Sequence, residues 1–189
     1  KTLKDLPSGA IVGTGSLRRT TQLKQIRPDL DYKFIQGNVD SRIHQMEQGK
    51  YDAIVLAATG LQKMNMADVA TEFFDIDTML PAVGQAILGV ELIDKEGYVY
   101  DLVKQLRHDP TKHAADAERA FLIALGGGCN LPIAAYATVD DDNINIAGVF
   151  ANEDGSIFVK NNITGKVADR KALAQELAMQ LKAEVETKK

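Results

Sequence analysis

The sequence predicts an α/β fold in two parts: a parallel sheet with crossover helices, then a small α+β domain with helices on one face of a three-stranded antiparallel sheet. Three observations predict it. Residues 10–66 repeat a short apolar strand, a loop of small or polar residues and a helix three times, and strands that alternate with helices form parallel sheets with right-handed crossovers. Beyond residue 132 the apolar period shortens across three segments separated by acidic and glycine-bearing turns, as in successive hairpins. An amphipathic stretch over residues 167–185 closes the chain.

In the first unit, residues 10–12 form a strand that leads into Gly13-Thr14-Gly15-Ser16 and a helix over residues 17–26. Leu17, Thr20 or Thr21, Leu23 or Lys24, and Ile26 give its approximate apolar face. Arg27-Pro28 ends it, because a residue before proline avoids the helical region. In the second, a strand over residues 32–35 leads through Gln36-Gly37-Asn38 into a helix over residues 40–48, with Ile43 and Met46 as its apolar positions. In the third, the apolar run 53–58 reads as a strand buried on both faces. Thr59-Gly60 and a short helix with Leu61 and Met64 follow, and Met64 and Met66 read as packing residues.

Pro81 and Gly84 mark a hinge or crossing segment, followed by a strand-like stretch at residues 87–92 and a helix at residues 98–106. A longer helix runs from about residue 112 to 125 with Ala114, Ala117, Phe121, Leu122 and Leu125 on its apolar side. Asp109 is its candidate N-cap and Pro110 its first helical residue. Residues 133–139, 144–150 and 157–163 read as strands, with turns at Asp140-Asp141-Asp142 and Asn152-Glu153-Asp154-Gly155.

A net charge of -4 excludes a global basic field for nucleic acid. No apolar run is long enough to span a bilayer as a helix. The single cysteine excludes an internal disulfide framework and suits a reducing, cytoplasmic compartment. The chain starts at Lys1 and enters directly into apolar residues, so it reads as a piece of something longer.

Ligands of open parallel sheets bind beyond the carboxyl ends of the strands. The three loops at those ends carry Thr14, Ser16, Arg18 and Arg19; Gln36, Gly37, Asn38 and Arg42; and Gly60 and Lys63. Helix starts favour anions, and arginines add planar paired donors, so together these loops describe a site for a ligand with several carboxylates. Taken singly, each cation reads as a solvated surface charge; recurrence at the same end of three units weighs equally on the other side. Gly13-Thr14-Gly15-Ser16 lacks both the P-loop lysine and the third glycine of a dinucleotide fingerprint. His44, His108 and His113 have no metal-ligand spacing with Cys129, and no metal is expected. Cys129 follows Gly126-Gly127-Gly128, so it reads either as a small buried hydrophobe or as a reachable, reactive thiol.

Six segments in order resemble the porphobilinogen deaminase (hydroxymethylbilane synthase) family. Gly13-Thr14-Gly15-Ser16-Leu17-Arg18-Arg19 resembles its GTSSLRR motif, and Gly37-Asn38-Val39 with Arg42 resembles RGNV and the arginine after it. Tyr51-Asp52-Ala53-Ile54-Val55-Leu56-Ala57 is similar to YDAIILA, and Leu80-Pro81-Ala82-Val83-Gly84-Gln85 to LPAVGQG. Ala117-Glu118-Arg119-Ala120-Phe121 and Gly127-Gly128-Cys129 resemble AERAF and GGC.

The resemblance implies a three-domain transferase of tetrapyrrole (haem) biosynthesis that condenses four porphobilinogen molecules into hydroxymethylbilane and releases ammonia. Residues 1–80 are then its second, periplasmic-binding-protein-like domain. Residues 81–106 are a crossing segment back to a first domain otherwise absent, and residues 107–189 are the C-terminal cofactor-cysteine domain. A dipyrromethane cofactor is implied on Cys129 through a thioether. Thr14, Ser16, Arg18, Arg19, Gly37, Ala57 and Gln85 line the cofactor, and Arg18, Arg19, Gln36, Arg42 and Lys63 face the substrate. The family's catalytic aspartate matches no carboxylate here, so no catalytic residue is expected in this chain and no turnover by it alone. The expected partner is porphobilinogen, with neither nucleic acid nor membrane, and the full-length protein is expected to be a monomer.

Five positions depart from the family pattern. Gln36 and Lys63 stand where arginine is usual, Gly15 for the first serine of GTSSLRR, Ala86 for the last glycine of LPAVGQG, and Gly126 for the common glutamate before GGC. They motivate a rival reading, a non-catalytic carboxylate-binding homologue with a drifted site.

Overall fold

A computed structural model describes residues 1–93, 96–127 and 131–188, which fall into two compact units. The first is built on Lys1–Leu80 with Ala151–Phe158, and the second on residues 81–127, Ile133–Phe150 and 159–188. The chain is α/β, with one parallel and one antiparallel three-stranded sheet.

In the first unit, β1 (Ile11–Gly13) lies between β2 (Asp31–Lys33) and β3 (Ala53–Ile54) and pairs with both in parallel. The helices α1 (Leu17–Ile26), α2 (Val39–Glu47) and α3 (Ala58–Lys63) follow the strands in turn. Leu3, Leu6, Ala10, Val12, Leu23 and Leu30 form the core, flanked by Tyr32, Ala53, Val55, Phe74 and Met79. Burying one such leucine stabilises the fold by about 2 kcal/mol. Gly13 has no Cβ for a packing reason: one would sit 2.8 Å from the ring of Tyr51. Arg27, just past α1, donates to the carbonyls of Leu3 (2.7 Å) and Leu6 (2.8 Å) and pairs with Asp29, which ties the N-terminal segment to the sheet.

In the second unit, β4 (Ala134–Asp140), β5 (Asn143–Ala151) and β6 (Phe158–Lys166) lie in that order. The ladder from Ala134↔Val149 to Asp140↔Asn143 leaves Asp141 and Asp142 as the turn, with Asp141 left-handed at φ 49°. After the short helix α4 (Tyr98–Lys104), helices α5 (Asp109–Ala124) and α6 (Arg170–Thr187) pack on each other and cover one face. A Cβ at Gly148 of β5 would meet Phe121 of α5 at 2.7 Å and Leu177 of α6 at 3.2 Å, so both helices close on the same strand position. Phe121, Ile144, Ile146, Leu177 and Leu181 are fully buried there.

Several expectations are corrected. β3 ends at Ile54 and is half-buried, because it is an edge strand and residues 57 and 58 start α3. Met64 is exposed and does not pack in the core. Residues 87–92 form no strand; Leu88 and Val90 are exposed, and no described strand pairs with them. The long helix starts at Asp109, so His108 is the N-cap and Pro110 the second helical residue. Val167–Asp169 is a 3-10 turn ahead of α6.

Two departures from the family pattern fall where backbone conformation is demanding. Gly126 has φ 89°, its N–H donates to Ile123 O (3.0 Å), and the N–H of Gly127 donates to Leu122 O (3.0 Å). This is a Schellman end to α5, and its left-handed residue favours glycine. Ala86, in contrast, sits at φ 68° where the family has glycine. We expect Ala86→Gly to stabilise the chain and Gly126→Glu to destabilise it, each by about 1 kcal/mol, read as opposite displacements of the urea midpoint. No change in either midpoint contradicts this account.

Candidate functional site

The loops at the carboxyl ends of β1 and β2 are rigid for local reasons. The Thr14 N–H donates to Lys33 O (3.0 Å), while the buried Thr14 hydroxyl accepts from Ser16 N–H (3.2 Å). Ser16 caps α1 by accepting from Arg19 N–H, and Asn38 caps α2 by accepting from Ser41 N–H at 2.9 Å. Gly37 has φ 118°, and a Cβ there would meet the Ser41 hydroxyl at 2.8 Å, so only glycine suits this turn.

These caps place Arg18 and Arg19 in the first turn of α1. Arg18 Nη1 donates to Leu80 O (2.8 Å), and Arg19 Nη1 donates to Val55 O (2.9 Å) just past β3. Arg42 Nε donates to Gly37 O at 2.7 Å. All three side chains are half-buried. Each guanidinium spends a donor on a backbone carbonyl, which fixes its orientation without neutralising it. Among the described residues no recorded ion pair joins any of the three to a carboxylate.

The electrostatics reflect this. Burial, and then the charge of Arg19, pull the Arg18 pKa down to about 10. Burial, and then the charge of Arg42, lower that of Arg19. Positive charges that are partly desolvated and repel one another are stabilised by an anion brought between them. With the fork geometry of arginine, the arrangement suits carboxylates.

Gln22 completes the scaffold and was not singled out from the sequence. It is 3% exposed. Its Nε2 donates to Leu80 O (3.1 Å) and its Oε1 accepts from Leu80 N–H (2.8 Å). The signal was its spacing, one helical turn after Arg18 on the same face.

The other expected residues are not gathered in the same way. Gln36 and Lys63 are exposed, and Ala57 is the N-cap of α3 without a side-chain hydrogen bond. Gln85 is exposed and belongs to the second unit, where its Oε1 accepts from Ala82 N–H (3.3 Å). Cys129 lies outside the described residues, as does Gly128. Glu118, also not singled out, is buried; a lone acid on the apolar side of a helix, between Ala117 and Phe121, was its signal.

Residues 1–100 match the family model described as "Porphobilinogen deaminase, dipyromethane cofactor binding domain", and residues 112–183 match "Porphobilinogen deaminase, C-terminal domain". A porphobilinogen deaminase of Lysinibacillus sphaericus is 45% identical over 92% of this chain and 56% of its own length. One of Geobacter sulfurreducens is 42% identical over 97% of this chain and 58% of its own, and one of Thermus thermophilus is 42% identical over 94% and 60%. The chain thus spans little more than half the length of the curated relatives it matches.

The geometry makes a pH prediction. Arg18 is charged at pH values well below its pKa of about 10 and loses its proton as pH rises through it. Citrate, fully ionised above neutrality, should bind with constant affinity between pH 8 and 9 and progressively less tightly above about pH 10. Calorimetric titration of wild type and Arg18→Ala checks this; citrate affinity that Arg18→Ala leaves unchanged at pH 8 shows that Arg18 does not hold the ligand.

Proposed function

The chain belongs to the porphobilinogen deaminase family, and from that premise we propose that it is the ligand-holding part of a transferase that condenses four porphobilinogen molecules into hydroxymethylbilane with release of ammonia. The observation that carries this reading is the set of half-buried residues Arg18, Arg19 and Arg42, which have no recorded carboxylate partner among the described residues. Acetate and propionate side chains are the counter-charges such a set lacks.

The residues fit a dipyrromethane cofactor. Arg18 and Arg19 offer free guanidinium donors beyond those given to Leu80 O and Val55 O, and the Thr14 hydroxyl, which accepts from Ser16 N–H, still has its own proton to donate. We assign cofactor binding to Cys129 (covalent), Thr14, Ser16, Arg18, Arg19, Gly37, Ala57 and Gln85, and substrate binding to Arg18, Arg19, Gln36, Arg42 and Lys63. For Cys129 and Gln85 the motif match supports the assignment. A bound dipyrromethane supplies a tethered pyrrole end to which successive units are added. What this chain does is hold carboxylates by their charge, orient them through guanidinium groups fixed on backbone carbonyls, and keep the reacting ends together between additions.

The division proposed for the chain is a periplasmic-binding-protein-like domain at residues 1–80, a crossing segment at 81–106 and a cofactor-cysteine domain at 107–189. Exposure of Leu88, Val90, Ile93, Tyr98, Val99 and Leu106 supports a crossing segment that packs on further protein. The single cysteine supports a cytoplasmic location, and no described helix is long and apolar enough to cross a membrane.

Intact mass with peptide mapping tests the reading. We expect a dipyrromethane-sized increment on the Cys129 peptide, lost in Cys129→Ser. We also expect no sustained hydroxymethylbilane production by the 189 residues alone, since no carboxylate in them matches the family's catalytic aspartate. An unmodified thiol both here and in a protein of the relatives' full length favours the non-catalytic carboxylate-binding homologue instead.

A further inference from the structure

Glu118 is a buried acid with no recorded cationic partner among the described residues. It lies in the middle of α5, is 4% exposed, and no recorded ion pair among the described residues includes it. Its two carboxylate oxygens are used separately. Oε1 accepts from Ala137 N–H at 3.0 Å, and Oε2 accepts from Gly84 N–H at 2.7 Å.

The first bond has a structural purpose. β4 is an edge strand, and its outward N–H groups need acceptors once buried. Any neutral acceptor serves there. The second bond does something else, because Gly84 belongs to the turn that presents Gln85. That turn is closed by Gln85 N–H to Ala82 O (2.9 Å) and Ile87 N–H to Gly84 O (3.2 Å). Gln85 is flanked by two left-handed residues, Gly84 at φ 71° and Ala86 at φ 68°. A turn held in such a conformation persists only where something outside it over-determines it.

A carboxylate suits both bonds because it is an acceptor at each oxygen. Glutamine has one acceptor and one donor, and its NH2 would face an N–H. Aspartate is one methylene shorter, so it cannot reach both donors from the same helix position. Burial pushes the Glu118 pKa up, opposed by the N–H groups of Gly84 and Ala137. The carboxylate is therefore held there at a cost that these bonds offset.

We propose that Glu118 is the positioning residue for Gln85: by holding Gly84 N–H it fixes the turn that presents the Gln85 side chain to the pyrrole ligand. The inference rests on the assignment of Gln85 to that ligand, and it places a specificity determinant on the helix that precedes Cys129 in the sequence.

A double-mutant cycle tests it, with affinity for a soluble dipyrromethane carrying acetate and propionate side chains measured calorimetrically on wild type, Glu118→Gln, Gln85→Ala and the pair. Loss of one charged hydrogen bond implies roughly tenfold weaker binding for Glu118→Gln. If Glu118 acts through Gln85, the pair binds no more weakly than Gln85→Ala alone, whereas additive losses overturn the proposal by making the role a general structural one. Hydrogen exchange over residues 82–87 is the second readout and needs no ligand. We expect exchange there to quicken at least about tenfold in Glu118→Gln with α5 protection retained; unchanged exchange overturns the proposal. If wild type itself does not bind the dipyrromethane, the functional assignment fails, and the exchange result still decides whether Glu118 holds the turn. Should Glu118→Gln not fold by circular dichroism, Glu118→Asp carries both measurements.

Discussion

Unpaired positive charge at the carboxyl ends of a small parallel sheet is the constraint on which the first unit depends. A guanidinium can be partly buried only if its donors are met. Here Leu80 O meets Arg18, Val55 O meets Arg19 and Gly37 O meets Arg42. Each carbonyl lies on a different segment, so holding the arginines also fixes the turn after β2, the end of β3 and the exit at Leu80. Gln22 reinforces the last by clasping both polar groups of the Leu80 backbone. Among the described residues no recorded ion pair quenches the charges, and the field stays available to a ligand.

Packing sets the second unit in a different way. Gly148 and Gly165 let two helices approach the sheet more closely than a side chain permits: a Cβ at Gly165 would lie 2.6 Å from Leu173 of α6. α5 gains rigidity from this contact, from its pairing with α6 and from the Arg170–Asp116 ion pair at 3.0 Å between the two helices. A helix so fixed is a firm mount for the carboxylate of Glu118.

Much of this was legible in the sequence where local chemistry and tertiary demand agree. α1 could be read to the residue, because small and polar residues precede it and Arg27-Pro28 stops a helix; the structure adds Ser16 as its cap. The three antiparallel strands followed from period and turn residues. The reading failed where apolar content has two meanings. Residues 53–58 look like one strand, yet their last two residues are the cap and start of α3. Residues 87–92 look like a strand, but apolar side chains make one only against a partner, and Leu88 and Val90 face solvent. Arg18, Arg19 and Arg42 were found because cations at strand ends are a recognisable pattern. Gln22 and Glu118 escaped because a polar residue inside a helix ordinarily reads as surface, and only the chain folded around it shows which backbone groups it serves.

Gly15 and Ala86 differ in whether substitution can be undone. Glycine at 86 would suit the backbone already present at φ 68°, so the way back is open. Serine at 15 would carry a Cβ 2.8 Å from the carbonyl oxygen of Ile35, a backbone atom that cannot swing aside. Two positions that depart alike from the motifs they resemble thus differ in what a reverse substitution would meet. One change meets no backbone obstacle, while the other meets the chain just past β2, and a hydroxyl-bearing side chain there would need a companion shift near Ile35 to be tolerated.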